Sequence, residues 1–341
     1  MGKWGKLLAA AVCMSLTAPQ QAAAQGMHFS QYYNAPLLLN PANAALLPEA
    51  DYRVGVNYRQ QWASVPVPYT TYSVFGDMQL MRNRNETNWL GLGAAIWQDQ
   101  AGAGQLSLSR AEAFVAYHVQ MGEFNMISLG ASVASVQRKV DFTKLSFDKQ
   151  WDGFKFDRTK STGEPMEIRR TNYTDLSVGL NYAFFPNENV YLKVGVGAAH
   201  VNQPKETFYN TQNTIGLRPT GNVDLLLRAG KAVIINPSIY YTNQKDASEL
   251  TYGSTVNLNV AGEGRQASAI IVGAFHRWNE AIVGVIGYQW NSLRVTSSYD
   301  YTISRLQPYN SGRGAAEITL IYEGLYRPES GNRKIYNCPR F

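Results

Sequence analysis

Residues 175–184 read D-L-S-V-G-L-N-Y-A-F, a stretch in which apolar residues alternate with small or polar ones. The apolar set is Leu176, Val178, Leu180, Tyr182 and Phe184. A period of two places this set on one face of a β-strand and the small or polar set on the other face. The apolar face must meet either a protein core or lipid, and the rest of the sequence decides between them.

The start of the chain has the pattern of a secretory signal peptide. Two lysines precede a short apolar run at residues 7–16, and three alanines at residues 22–24 supply the small residues of a cleavage site. We therefore predict a signal peptide at residues 1–24 and a mature chain that begins at Gln25.

The two cysteines add little to this picture. Cys13 as a lipidated residue is the weaker alternative, because the bulky Val12 precedes it and the apolar run would be cut in half. Cys338 is then the only cysteine of the exported chain, so an internal disulfide is not expected.

The composition points to the outer membrane. Charged residues make up 16% of the chain, against about 25% in soluble domains, while the chain contains 21 Tyr, 7 Trp and 29 Gly. No apolar run reaches the roughly 18 residues of a transmembrane helix. Low charge, many aromatics and alternation are typical of a transmembrane antiparallel β-barrel. The net charge of +6 is small and scattered, so a nucleic-acid partner is not predicted.

Alternating segments recur along nearly the whole chain, and we predict an all-β barrel of about fourteen strands, an even number, over residues 51–326. The predicted strands are 51–62, 69–80, 89–98, 107–118, 125–137, 173–185, 189–199, 221–231, 232–242, 252–261, 266–276, 280–290, 293–302 and 314–325. Short connections are expected at 119–124, 186–188, 262–265 and 291–292, and longer ones at 138–172, 200–220, 243–251 and 303–313. An extracellular β-sandwich is the alternative, but it gives no reason for short and long loops to alternate.

The inward face of this barrel is expected to carry polar side chains and many small ones. Arg53, Arg59 and Lys193 fall on it, with many Gly and Ala residues that leave room for a segment packed inside. Residues 25–50 precede the first strand and carry prolines that oppose a central strand. They either plug the lumen or reach a periplasmic partner. The plug is favoured, because an exposed run of tyrosines and leucines at 32–39 would be an apolar liability.

Several short motifs occur in an order that resembles one family. They are H-F-S-Q-Y at 28–32, N-A-P at 34–36, N-P-A at 40–42, Y-R-Q-Q-W at 58–62, the loop element at 141–152, D-x-x-x-G-x-x-Y at 175–182, A-H-V-N-Q-P at 199–204, Y-D-Y-T at 299–302, E-I-T-L at 317–320 and C-P-R-F at 338–341. Together they resemble the PorP/SprF family of outer-membrane proteins, which belong to type IX secretion and gliding motility. The run G-A-A at 314–316 departs from the G-S-H of the resembled family, so the loss of a polar contact is expected there.

The resemblance implies a non-enzymatic role without a cofactor. The implied partners are outer-membrane lipid, the C-terminal sorting domain of a secreted adhesin, and the periplasmic ring and lipoprotein components of the secretion machinery. The candidate partner-binding residues are His28, Phe29, Gln31, Tyr32, Asn40, Pro41, Arg59, Trp62, Asp148, Trp151, Phe154, His200, Pro204, Arg340 and Phe341.

The loop at 138–172 is the best candidate for a surface contact. Trp151, Phe154 and Phe156 stand there among lysines and aspartates, and aromatic anchors ringed by charge suit a protein interface. The alternative is a loop folded over the barrel mouth that buries these aromatics. The loop at 200–220, with Pro204, Phe208 and Tyr209, is expected to pack beside it.

The tail at 327–341 is rich in basic residues and either docks on a periplasmic protein or is a disordered terminus. Its final residue, Phe341, is also a candidate signal for barrel insertion.

Catalysis finds little support in the sequence. The four histidines lack metal-ligand spacing, and neither G-x-S-x-G nor H-E-x-x-H occurs. A lumenal His118 or His200 beside a serine would imitate a hydrolase, but both residue types are common in barrels. Two functions remain open: a barrel that binds a secreted or periplasmic protein, and a porin-like or fatty-acid-transporter-like conduit for small molecules.

Overall fold

The computed structural model describes residues 29–47, 50–62, 68–83, 87–102, 104–157, 159–163, 168–207, 213–262 and 267–326. Outside the described residues lie the expected signal peptide at 1–24, His28, Phe208, Tyr209 and the tail at 327–341 with Cys338, Arg340 and Phe341.

The described chain is a closed barrel of fourteen antiparallel strands, each paired with its neighbours in sequence. The strands are β1 (Tyr52–Gln61), β2 (Tyr69–Leu80), β3 (Asn88–Ala101), β4 (Leu106–Met121), β5 (Asn125–Asp141), β6 (Ile168–Asn187), β7 (Val190–Ala199), β8 (Arg218–Ala229), β9 (Val233–Gln244), β10 (Ala247–Ala261), β11 (Ser268–Arg277), β12 (Ala281–Trp290), β13 (Leu293–Thr302) and β14 (Arg313–Gly324). Pairing of β1 with β14, from Tyr52 opposite Gly324 to Gln61 opposite Ala315, closes the ring. The predicted barrel is therefore confirmed.

The alternation in β6 places apolar residues on the outer face of the barrel and polar residues on the inner face, as expected. Leu176, Val178 and Leu180 are exposed on the outer surface, whereas Asp175 and Asn181 are buried inside. Exposed aromatics also form two partial belts, one towards each end of the barrel, as in proteins whose rims lie at membrane interfaces. One belt contains Tyr69, Tyr72, Tyr241, Tyr252, Trp278, Tyr299 and Tyr301, and the other contains Tyr117, Tyr182, Phe184, Tyr288, Trp290 and Tyr322.

The two ends of the barrel differ. The near end carries residues 50–51 and 325–326 and mostly short turns, among them 122–124 and 291–292. The far end carries the loops at 142–167, 200–217 and 303–312, the last with the short helix α2 (Gln307–Asn310). These three long loops were expected at one end and lie there.

The prediction of a long loop at 243–251 is wrong. β9 and β10 continue to a turn made of Lys245 and Asp246 alone. The polar run that suggested a loop includes Glu249, which is buried in the lumen beside Arg277. A polar lumen lets charged residues occupy strand positions that would be buried against apolar groups in a soluble sheet.

Residues 29–47, called the plug from here on, fill the middle of the barrel. They fold into α1 (Pro36–Leu39) between short 3-10 turns at Tyr32–Asn34 and Pro41–Asn43. Nearly every described plug residue is buried, and three apolar clusters join the plug to the wall around Leu37, Leu46 and Tyr32. Within the described residues, no helix is long and apolar enough to cross a membrane.

Candidate functional site

The beginning of the plug is anchored to a pair of buried carboxylates. Glu317 on β14 accepts hydrogen bonds from the backbone N–H of Ser30, at 2.8 Å, and of Gln31, at 3.1 Å. The Ser30 hydroxyl donates to Oδ2 of Asp300 on β13, at 2.6 Å. The S-Q pair of the H-F-S-Q-Y motif thus holds the plug to the far-end half of the barrel.

Two buried arginines complete this anchor. Arg59 contacts Asp300 at 3.0 Å and Glu317 at 3.3 Å, and its side chain is 2% exposed. Both Arg59 and Arg277 donate to the Ser30 hydroxyl oxygen, at 2.5 Å each. Arg277 in turn pairs with Asp300 and with two further acids, Glu249 and Glu280. Buried charges are stable only when paired in this way, so the anchor depends on every member.

The next two plug residues, Gln31 and Tyr32, contact the barrel wall through their side chains. The Gln31 amide donates to Ser298 at 3.1 Å and accepts from Thr296 at 2.6 Å. The Tyr32 hydroxyl lies 2.5 Å from Ser238, and its ring stacks on Tyr240 with centroids 5.2 Å apart. These contacts place Gln31 and Tyr32, both predicted site residues, in plug-to-wall packing.

The N-P-A step passes over glycines in the wall. The Asn40 side-chain amide donates to Asn181 at 3.2 Å and to the Val196 carbonyl at 3.0 Å, while its oxygen accepts from Ala42 N at 2.9 Å. Pro41 and Ala42 lie against Gly130 on β5, where a side chain would collide with their backbone. The expectation that small lumenal residues leave room for an internal segment is confirmed here.

The end of the plug has contacts that no sequence motif indicated. Asp77 accepts from Ala45 N at 2.7 Å and is paired with Arg53 at 2.6 Å. The Trp89 indole donates to the Ala45 carbonyl at 2.9 Å. His118 Nε2 lies 2.8 Å from the Ala44 carbonyl oxygen, and its Nδ1 lies 2.7 Å from Ser128. The alternation marks these residues as inward, but only the register of the strands shows which of them meet the plug.

The His118–Ser128 pair does not have hydrolase geometry. The second ring nitrogen faces a backbone carbonyl instead of an orienting carboxylate, and both side chains are buried under the plug. Among the described residues, no group of three or more His, Cys, Asp or Glu is arranged to hold a metal ion.

The far-end loop at residues 142–163, called the aromatic loop, presents apolar side chains to solvent. Trp151 and Phe156 pair across an antiparallel bridge with ring centroids 5.1 Å apart, and Phe154 at the tip is 93% exposed. Backbone N–H groups of Lys155 and Phe154 donate to Asp152 and lower the pKa of its carboxyl group. The alternative in which this loop buries its aromatics over the barrel mouth is therefore wrong.

The remaining predicted residues are dispersed. His200 Nδ1 lies 2.9 Å from Asp175, and Pro204 is buried in its loop. Trp62 follows β1 with its ring 4.9 Å from Tyr69, and Asp148 is exposed at the start of a 3-10 turn. The structure therefore separates the candidates into plug residues with Arg59, and residues of the far-end rim.

Two of the cavities among the described residues lie beside the plug. The far-end cavity has a volume of about 350 Å³ and is lined by residues such as Leu38, Arg138 and Arg218. The near-end cavity has a volume of about 140 Å³ and is lined by residues such as Leu226 and Arg294. Leu39 of α1 lines both cavities, so it stands between them.

In fold, the chain is similar to solved outer-membrane barrels. The toluene transporter TbuX of Ralstonia pickettii has a TM-score of 0.51 at 9% identity and matches over 85% of this chain and 94% of that one. The toluene transporter TodX of Pseudomonas putida has a TM-score of 0.51 at 7% identity, over 89% of this chain and 95% of that one. At such identities the likeness concerns the fold alone.

Sequence comparison gives the family. No curated protein matches the chain. A family model described as type IX secretion system membrane protein PorP/SprF matches residues 21–322, nearly the whole chain. The barrel, its aromatic belts and this match place the protein in the outer membrane. The chain belongs to the PorP/SprF family of type IX secretion system membrane proteins.

Proposed function

We propose that this protein is a non-enzymatic component of the type IX secretion system that holds an exported, adhesin-type protein at the cell surface. The observation that carries the proposal is the plug, which occupies the lumen with paired charges and buried apolar groups. A barrel filled in this way favours binding through its rims over free passage of solutes.

The orientation follows from the connections. Bacterial barrels keep short turns on the periplasmic side and longer loops outside. The near end, with its short turns, then faces the periplasm and the far end faces the surroundings. In this arrangement Tyr326, the last described residue before the tail at 327–341, lies on the side of the periplasmic ring and lipoprotein components, whereas the aromatic loop is available to exported protein.

The aromatic loop has the properties of an interface anchor. Phe154 projects from a turn that is fixed by hydrogen bonds to Asp152. Trp151 and Phe156, on the two sides of this turn, pair in an antiparallel bridge. Exposed aromatics on a pre-ordered backbone contribute much of the binding energy in protein interfaces. Tyr309 on α2, 88% exposed, gives a second apolar contact at the same end.

Replacing Phe154 with alanine is expected to reduce the amount of exported protein recovered in a native affinity purification by about tenfold or more. A loss of this size is typical when an aromatic anchor residue of an interface is truncated. Met81→Ala is the matched control, because Met81 is 85% exposed but lies at the near end. Recovery is measured by quantitative mass spectrometry of the purified complex. A partner that is retained by Phe154→Ala and lost when 327–341 is removed would assign binding to the periplasmic side instead.

A conduit for small molecules is the second candidate, and the two cavities on either side of Leu39 favour it. Their walls combine apolar groups with a few charged ones, and among the described lining residues Leu39 is common to both. Leu39 therefore marks the place where the two cavities approach each other, and a path through the plug would begin there.

Leu39→Ala removes the isopropyl group between the cavities and is expected to produce a small conductance in planar lipid bilayers, where the unchanged protein is silent. Leu37→Ala is the control, because Leu37 lines the far-end cavity only. A steady open pore in the unchanged protein would favour the conduit over the surface-binding role.

A further inference from the structure

The far-end cavity has a floor made by the plug. The apolar side chains of Leu37, Leu38 and Leu39 line its base, with Leu108 and Val136 from the wall. Its volume of about 350 Å³ lies within the range of small-ligand sites, roughly 300–1,000 Å³. The plug therefore shapes a recess that opens at the far end.

Some of the basic side chains around this recess are paired with carboxylates, and others are not. Arg110 is bound between Glu112, at 2.6 Å, and Asp175, at 2.5 Å. Arg138 is paired with Glu206 at 3.0 Å.

Two further cations line the same recess, Arg218 and Lys245. Neither of them forms an ion pair or a side-chain hydrogen bond in the part of the chain that the structure describes, and Nε of Arg218 is buried without a partner. Arg218 is half-buried and Lys245 is exposed at the mouth of the recess, so positive charge is left over there. An anion at the half-buried Arg218 gains more from the contact than it would in water.

We propose that the far-end cavity binds a carboxylate carried on an apolar stem, with the carboxylate at Arg218 and Lys245 and the stem on the leucines of the plug. A single carboxylate fits better than a multiply charged anion, because Glu112 and Glu206 line the same wall. Two sources carry this chemistry: the free C-terminal end of a protein chain and a free fatty acid. The first source deepens the proposed function, on which it rests, by naming the group of the exported protein that is held.

The test uses the full-length protein in lipid nanodiscs and isothermal titration calorimetry. The probes are N-acetyl-Leu-Leu-Ile as free acid and as amide, and decanoate with decanamide, and empty nanodiscs correct for partition into lipid. Each acid that binds is expected to bind about tenfold to a hundredfold more tightly than its amide, as for hydrogen bonds to a charged group. Preference for the peptide acid identifies a chain end, and preference for decanoate identifies a fatty acid.

Variants distinguish binding at this site from non-specific attraction of an anion to the basic side chains of the protein. Arg218→Gln combined with Lys245→Gln is expected to abolish the difference between acid and amide. Arg170→Gln is the matched control, because Arg170 is exposed on the outer face of β6 at the same end, and it should leave the difference intact. Leu38→Asp is expected to weaken binding of both acids by placing a like charge on the floor.

The proposal is overturned if neither acid binds saturably. It is also overturned if acid and amide bind equally well to the unchanged protein. An unaltered preference in the double variant would overturn it as well. The proposed function is judged separately, by recovery of an exported protein with the unchanged chain. Recovery without carboxylate binding would reject only the site in the cavity.

Discussion

Replacing Arg59 with methionine is expected to lower the free energy of unfolding by about 3–5 kcal/mol, the usual effect of removing one member of a buried ion pair. The side chain of Arg59 is 2% exposed and pairs with both Asp300 and Glu317. Its loss leaves these carboxylates in the barrel interior with Arg277 as the remaining cation of the anchor, 3.4 Å from Asp300. Ser30 also loses one of the two arginines that donate to its hydroxyl oxygen.

Unfolding is followed by tryptophan fluorescence in guanidinium with the protein in detergent micelles. Arg305→Met is the matched control, because Arg305 is exposed in the loop at 303–312, and a change within about 0.5 kcal/mol is expected there. Adding Glu317→Gln to Arg59→Met should restore part of the loss, because one uncompensated carboxylate is then neutral. Equal midpoints for Arg59→Met and Arg305→Met would show that the anchor does not stabilise the fold.

The fourteen strands were predictable because alternation is a local property of the sequence. A residue's side of the sheet follows from its parity within the strand, as in β6, and needs no knowledge of its neighbours. The error at 243–251 has the same origin. Polar residues there suggested a loop, but Glu249 is a lumenal strand residue whose partner, Arg277, comes from the next strand.

The plug contacts were predictable only in part. Gln31, Tyr32, Asn40 and Pro41 were selected by resemblance, and each of them contacts the wall. Ser30 stands in the same motif but was not selected, although it contacts both Glu317 and Asp300. Asp77, Trp89 and His118 were missed, because inward position alone does not show which wall residue the plug approaches. That depends on strand register around the ring, which residues from distant parts of the chain determine together.

Gly130→Val is expected to displace the plug and convert a silent barrel into a conducting one. A Cβ at this position would lie 2.5 Å from the carbonyl carbon of Pro41 and 2.6 Å from Cα of Ala42. These are backbone atoms, so a side-chain rotation cannot relieve the collision. Valine suits a strand, so β5 itself should persist and the strain should fall on the plug.

The measurement is single-channel conductance in planar lipid bilayers, with a variant lacking residues 29–47 as the reference for an open lumen. Gly284→Val is the matched control, because no atom lies within 4 Å of a Cβ built on that outward-facing glycine, and it should stay silent. A folded Gly130→Val barrel without conductance would mean that the wall yields instead of the plug. Conductance would instead show that the motif residues close the lumen, because the substitution changes nothing at either rim. A displaced plug should also abolish saturable binding of the apolar carboxylates in the far-end cavity, since Leu37, Leu38 and Leu39 form its floor. The same variant therefore connects the closure of the barrel with the site above it.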